Sequence, residues 1–141
     1  AEGSRVESVT ISPDGKYLLV SAWGKPVLSD GGRRAASAKD HLLSVWVLAT
    51  GKRIYEIIVP GTYAGPVAWS PDGRYFAAGG RKPGPRITLY EMASGKPVRS
   101  FERIGAVPQV LAFSPDGRKL VSALNDTTIL VWDLTARPGK P

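Results

Sequence analysis

The stretch Ser12-Pro13-Asp14-Gly15 returns as Ser70-Pro71-Asp72-Gly73 and as Ser114-Pro115-Asp116-Gly117, each time followed by a basic residue, Lys16, Arg74 or Arg118. Its chemistry is that of a tight turn. Proline presets φ at the second position, aspartate tolerates the third, and glycine takes the positive φ that closes a hairpin. Ahead of each turn the residues alternate: Val9 and Ile11, Val67 and Trp69, and Leu111 and Phe113 share one face. That period of two belongs to a half-buried strand. Beyond the turns, second strands are predicted over Tyr17–Ala22, Tyr75–Gly80 and Lys119–Leu124.

Third strands are predicted over Leu43–Leu48, Ile87–Met92 and Ile129–Leu134, carrying an aromatic at Trp46, Tyr90 and Trp132. Two of them enter a second turn, Ala49-Thr50-Gly51-Lys52 and Ala93-Ser94-Gly95-Lys96, and then a fourth strand, Arg53–Val59 and Pro97–Glu102. The aromatics are 44 and 42 residues apart, and a repeat of about 40 to 45 residues is the signature of four-stranded propeller blades. The expected fold class is therefore all-β, with antiparallel blades over residues 5–60, 61–103 and 104–136. Ala136-Arg137-Pro138-Gly139-Lys140-Pro141 is too rich in Pro and Gly to pair, so the last blade is expected to lack its outer strand and 137–141 to form a tail.

These residues resemble the WD-repeat family, named for the Trp-Asp pair that closes the third strand. Trp132-Asp133 keeps the pair, while the first repeat has Trp46-Val47 and the second Tyr90-Glu91. The resemblance implies a β-propeller whose first strands line a central channel and whose fourth strands lie outermost. It also implies a buried network of a His before the first strand, a Ser or Thr on the second, an Asp in the next turn, and the Trp. Ser122, Asp126 and Trp132 match three of those places, but no Gly-His pair precedes a first strand and His41 falls in an insertion. The network is thus expected to be incomplete, with Ser122, Asp126, Trp132, Trp46 and Tyr90 in structural roles. Propellers close with about 4 to 8 blades. The expectation is a piece of a longer propeller, or a half-ring completed by a second copy as a six-bladed homodimer. Its end faces, lined by residues such as Val45 or Trp132, are expected to be partly exposed.

The chain has 141 residues, 43% of them hydrophobic, with 16 Gly and 12 Pro to supply turns. No apolar run approaches the ~18 residues of a membrane span, so no membrane partner is expected. With no Cys, disulfides and thiolate metal sites are excluded. Nor does the sequence assemble a reaction centre. Its one His, His41, has only Asp40 beside it, and the turn residues Asp14, Asp72 and Asp116 belong to different blades. Gly79-Gly80-Arg81-Lys82 lacks the spacing of a phosphate-binding loop. No catalytic, cofactor-binding or metal residue is expected, and a repeat array suits a binding platform better than an enzyme.

The individual feature of this chain is its insertions. From the turn Ser to the aromatic takes 34 residues in the first repeat but 20 and 18 in the others. The excess lies between second and third strands, in Gly24–His41, with a shorter insertion at Arg81–Arg86. Lys25, Arg33, Arg34, Lys39, Arg81, Lys82 and Arg86 face only Asp30 and Asp40, so these segments hold +5 of the net charge of +7. Both connections are expected on one rim of the channel. Such a basic face attracts an acidic protein segment or an anionic polymer such as nucleic acid; solvated loops that aid solubility are the plain alternative. Nucleic acid is disfavoured because no aromatic residue is interleaved with the cations to stack on bases. The function expected is a non-enzymatic scaffold or protein–protein interaction module; the alternatives are anionic-polymer binding through the same loops, or a purely structural half-propeller that assembles with itself or with missing blades.

Overall fold

The computed structural model describes residues 5–23, 41–59, 65–80, 84–102 and 104–135. It is all-β, as the repeat predicts, with three antiparallel sheets in chain order. The first blade contains β1 (Arg5–Ile11), β2 (Tyr17–Trp23), β3 (His41–Val47) and β4 (Lys52–Val59). The second contains β5 (Val67–Trp69), β6 (Tyr75–Gly80), β7 (Arg86–Glu91) and β8 (Pro97–Glu102). The third contains β9 (Pro108–Phe113), β10 (Lys119–Leu124) and β11 (Ile129–Asp133).

The three Ser-Pro-Asp-Gly turns are built identically. Gly15, Gly73 and Gly117 have φ of 76°, 72° and 73°, a region in which only glycine avoids a Cβ penalty. In the first turn Ser12 Oγ donates to Asp14 Oδ1 at 2.6 Å, and that same oxygen accepts Lys16 N at 3.0 Å. Tyr17 N donates to Ser12 Oγ at 3.0 Å, and Ser12 N to Tyr17 O at 2.8 Å. Ser12 N and O, Gly15 N, Lys16 N and Tyr17 N thus find partners within the turn. The turns also touch in series: Pro13 lies beside Gly73, and Pro71 beside Gly117.

Each sheet buries apolar side chains on the face it turns to its neighbour. Leu19, Leu43 and Val45 of the first blade pack with Val67, Trp69, Phe76, Ala78 and Tyr90 of the second. Ala77, Ile87, Leu89 and Phe101 on the other face of the second blade meet Leu111, Leu120 and Leu124 of the third. Leu19, Leu43 and Phe76 are fully buried, and complete burial of such a side chain contributes roughly 1.5–3 kcal/mol. Polar straps recur at both junctions. Tyr55 Oη on β4 donates to Met92 O at 2.8 Å, and Arg99 Nη1, at the same place on β8, donates to Leu134 O at 3.4 Å.

The end faces differ from expectation. Val45 is fully buried against the second blade, and Trp132 also points inward, its ring 4.6 Å from that of Phe101. Both blade faces are apolar, so the sequence pattern did not reveal which parity faces inward. The exposed end residues are instead Val6, Val9 and Ile11 on β1, and Val110, Ile129 and Val131 on β9 and β11. Val110 and Ile129 both pair with Ala123, and Val131 pairs with Val121, so they share the outer face of the third blade.

At the other end of the strands the sheets converge closely on the first strands. A Cβ placed on Gly79 of β6 would lie 2.9 Å from Pro66 Cδ and 3.0 Å from Pro108 Cγ. Both contacts are with rigid rings next to β5 and β9, and Gly79 N also donates to Pro66 O at 2.9 Å. Gly79→Ala is therefore expected to cost about 1–3 kcal/mol through overpacking. Gly84, with nothing within 4 Å of an added Cβ, is the control: Gly84→Ala should leave the urea midpoint nearly unchanged while Gly79→Ala lowers it.

Candidate functional site

Antiparallel pairing sorts the strand ends into two rims. One carries the Ser-Pro-Asp-Gly turns. The other carries Trp23 paired with His41, His41 with Val59, Gly80 with Arg86 and Arg86 with Glu102.

On the second rim His41 is not a loop residue. It is the first residue of β3, 1% exposed, and its Nε2 lies 2.9 Å from Ser21 Oγ. Ser21 Oγ also donates to Gly65 O at 3.0 Å, and Nδ1 of His41 is buried with no hydrogen-bond partner. Burial alone pushes the imidazole down to about 4 from its ordinary 6.5. Both side chains are buried, His41 at 1% and Ser21 at 0% exposure, so the contact does not open to solvent. Instead it ties β2 and β3 to the chain entering the second blade. The expectation that His41 sits in the insertion fails because β3 pairs as far as Trp23, two residues beyond the apolar run that marked its start.

The three blade aromatics each find a hydroxyl. Trp132 Nε1 donates to Ser122 Oγ at 3.1 Å, and Trp46 Nε1 to Ser44 Oγ at 2.9 Å; Tyr90 shares a hydrogen bond with Thr88. Ser122 and Trp132 thus form the inner half of the implied network. Asp126 does not join them: it is exposed, and its Oδ1 accepts Thr128 N at 2.9 Å, shaping the β10–β11 turn. With no imidazole to receive, a buried carboxylate there would be an unpaired charge.

Of the seven candidate cations, Lys25, Arg33, Arg34, Lys39, Arg81 and Lys82 lie outside the described residues. Arg86 does not belong to the connection. It opens β7, and its Nη2 is 3.7 Å from Glu102 Oε1 on the neighbouring strand. Among the described residues, no group of three or more His, Asp or Glu gathers as a metal site would require.

The turn rim holds two grooves that sequence reasoning missed, one at each blade junction. The larger, about 580 Å³, lies between the second and third blades and is lined by Tyr75, Leu89, Val98, Phe113 and Leu134, with Asp72, Asp116 and Arg99 as its charged groups. The smaller, about 550 Å³, is lined by Tyr17, Ile54, Met92 and Tyr75, with Arg74 and Glu91. A register shift in the pairing of β4 and of β8 leaves Ile54 and Val98 unpaired at equivalent places, and bulges of this kind re-aim side chains. Ile54 is 45% and Val98 49% exposed.

Comparison with known proteins agrees with this architecture. Residues 95–133 match the family model described as WD domain, G-beta repeat. The Target of rapamycin complex subunit wat1 of Schizosaccharomyces pombe is 29% identical over 131 residues, covering 92% of this chain and 36% of that protein. The Pre-rRNA-processing protein IPI3 of Mycosarcoma maydis is 31% identical over 132 residues, covering 90% of this chain and 20% of that protein. Among solved structures, the β-propeller domain of Myceliophteria thermophila Cps50 (Swd1) superposes with a TM-score of 0.71 at 18% identity, covering 95% of this chain and 37% of that one. The WD40 repeats of RRP9 give 0.69 at 22%, covering 93% and 38%. This chain therefore spans only about a fifth to two fifths of the length of these relatives.

His41 is the one histidine in the chain, so its titration is separable. The folded state holds it neutral down to about 4, whereas the unfolded chain protonates near 6.5. Stability is accordingly full above pH 6.5 and falls as the pH drops toward 4, by up to about 1.4 kcal/mol per pH unit. Urea unfolding from pH 7 to 4.5 is expected to show this slope, and His41→Gln is expected to flatten it.

Proposed function

The chain carries WD repeats, and on that premise we propose that it is a non-enzymatic protein-interaction module. Its basic segments, with Lys25, Arg33, Arg34, Lys39, Arg81 and Lys82, form the contact face for an acidic protein segment. The supporting observation is the placement of the strand ends that flank these segments. Trp23 and His41 in the first blade, and Gly80 and Arg86 in the second, end on the rim opposite the Ser-Pro-Asp-Gly turns. Ser21 and Gly65 bridge the two blades there. Pairing with Glu102 makes Arg86 an edge of this face rather than its centre. Relatives described as a complex subunit and as Small ribosomal subunit protein RACK1 lend the reading weight as components of assemblies.

The proposal includes ring completion by further blades, supplied by a longer chain or by a second copy. The stripes Val6, Val9, Ile11 and Val110, Ile129, Val131 lie at opposite ends of the blade stack, where two copies would meet twice in a six-bladed ring. Light scattering separates the two: a mass near twice 15.1 kDa assigns the completion to a second copy, and a monomer at all concentrations assigns it to further blades of a longer chain.

Replacing Arg33, Arg34, Arg81 and Lys82 by Glu is expected to weaken capture of an acidic polyglutamate probe at least tenfold without changing the assembled mass. Full-strength capture by that variant contradicts the basic face. Tighter binding of single-stranded DNA than of polyglutamate, with a steep salt dependence indifferent to base sequence, would instead assign the face to nucleic acid.

A further inference from the structure

The groove between the second and third blades has no role in that reading, and its chemistry is the reverse of the basic face. Its floor is apolar, formed by Tyr75, Leu89, Phe113 and Leu134, and its lip is the exposed Val98. Three charged groups line it: Asp72, Asp116 and Arg99. Arg99 is committed to the wall, with Nη1 donating to Leu134 O at 3.4 Å and the guanidinium carbon 4.7 Å from the centre of the Phe101 ring.

Both aspartates use a single oxygen to hold their turns. Asp72 Oδ1 accepts Arg74 N at 3.0 Å and Ser70 Oγ at 2.7 Å; Asp116 Oδ1 accepts Ser114 Oγ at 2.7 Å and Arg118 N at 3.0 Å. The same bonds keep both carboxyls below the ordinary carboxylate range, and so charged at neutral pH. Two anions fixed by backbone geometry, each with the Arg that follows its turn nearby, Arg74 and Arg118, therefore flank an apolar slot whose one lining cation is already engaged.

We propose that this groove is a second docking site, for an extended peptide segment that sets an apolar side chain beside Val98 and an adjacent Arg or Lys between Asp72 and Asp116. It deepens the interaction-module reading and does not depend on the basic segments. The groove between the first and second blades repeats the apolar lip, as Ile54, but not the anionic pair. Its acid, Glu91, already accepts Ser94 Oγ at 2.7 Å and shares the groove with Arg74. One junction is thus selective for cations, and the other serves as an internal control.

The test uses short acetylated peptides in which Leu is followed by Arg, Lys, Gln or Glu, titrated into the intact chain and followed by backbone amide NMR. The Leu-Arg and Leu-Lys peptides are expected to shift the amides of Asp72, Val98, Asp116 and Gly117, and to bind at least tenfold more tightly than the Gln or Glu versions. Val98→Lys, an exposed change that leaves both turns intact, is expected to weaken binding at least tenfold, and Ile54→Lys to leave it unchanged. Affinity indifferent to the peptide's charge, equal loss in both lip variants, or no binding of the Arg and Lys peptides overturns the proposal. Tighter binding of the Leu-Glu peptide than of the Leu-Arg and Leu-Lys peptides, lost with Arg33→Glu and Arg34→Glu while Val98→Lys binds normally, assigns the peptide to the basic face instead, and overturns this site while sparing the first.

Discussion

Leu19, Leu43 and Val45 on one sheet close against Val67, Trp69 and Phe76 on the next, and everything else in the protein follows from that contact. A four-stranded sheet that is apolar on both faces has no stable form alone; it must be covered twice. The repeat meets this need by making each blade the cover of its neighbour. Polar groups then add register to what burial supplies in energy. Trp69 Nε1 reaches Thr10 O at 3.2 Å between first strands, and the Tyr55 and Arg99 straps join each outer strand to the next blade. Because burial is non-directional, these directional bonds and the close fit at Gly79 fix how the blades stack.

Stacking of this kind gives the molecule two rims with different chemistry. The turn rim is locally rigid, since each Ser-Pro-Asp-Gly unit satisfies its own backbone and leans on the next through Pro13 and Pro71. Its charged groups are the hydrogen-bonded carboxylates Asp14, Asp72 and Asp116 and the basic residue that follows each of them, Lys16, Arg74 and Arg118. The opposite rim is where the chain departs from the bare repeat. There Trp23, His41, Gly80 and Arg86 end their strands, and the His41, Ser21 and Gly65 contacts tie the first blade to the chain entering the second.

Much of the fold was legible because its signals are local. A turn that needs a glycine at positive φ, an alternating run before it and an aromatic at a fixed distance each depend on only a few consecutive residues. What stayed hidden required partners distant in sequence. His41 looked like a loop residue because the strand that includes it is lengthened by pairing with Trp23, across the longest insertion in the chain. Asp126 matched a network position by spacing, yet the network lacks its imidazole, and the carboxylate stays in water. Val45 and Trp132 were placed on the wrong face because alternation alone does not say which face of a doubly apolar sheet is inside. The grooves were beyond reach of any pattern, since Val98, Asp116 and Leu134 come together only when two blades meet.

The measurement that bears most directly on this dependence is amide hydrogen exchange along the blades. β7 is hydrogen-bonded on both edges, by β6 and β8, in a sheet covered on both faces, whereas β11 has one partner strand among the described residues and exposes Ile129 and Val131. For the chain as a monomer, with nothing covering Ile129 and Val131, the account predicts that β7 amides exchange only through global unfolding, and that β11 amides exchange far faster through local opening of the third blade. Equal protection of β7 and β11 would contradict it, because a sheet covered on one face would then be as stable as one covered on two.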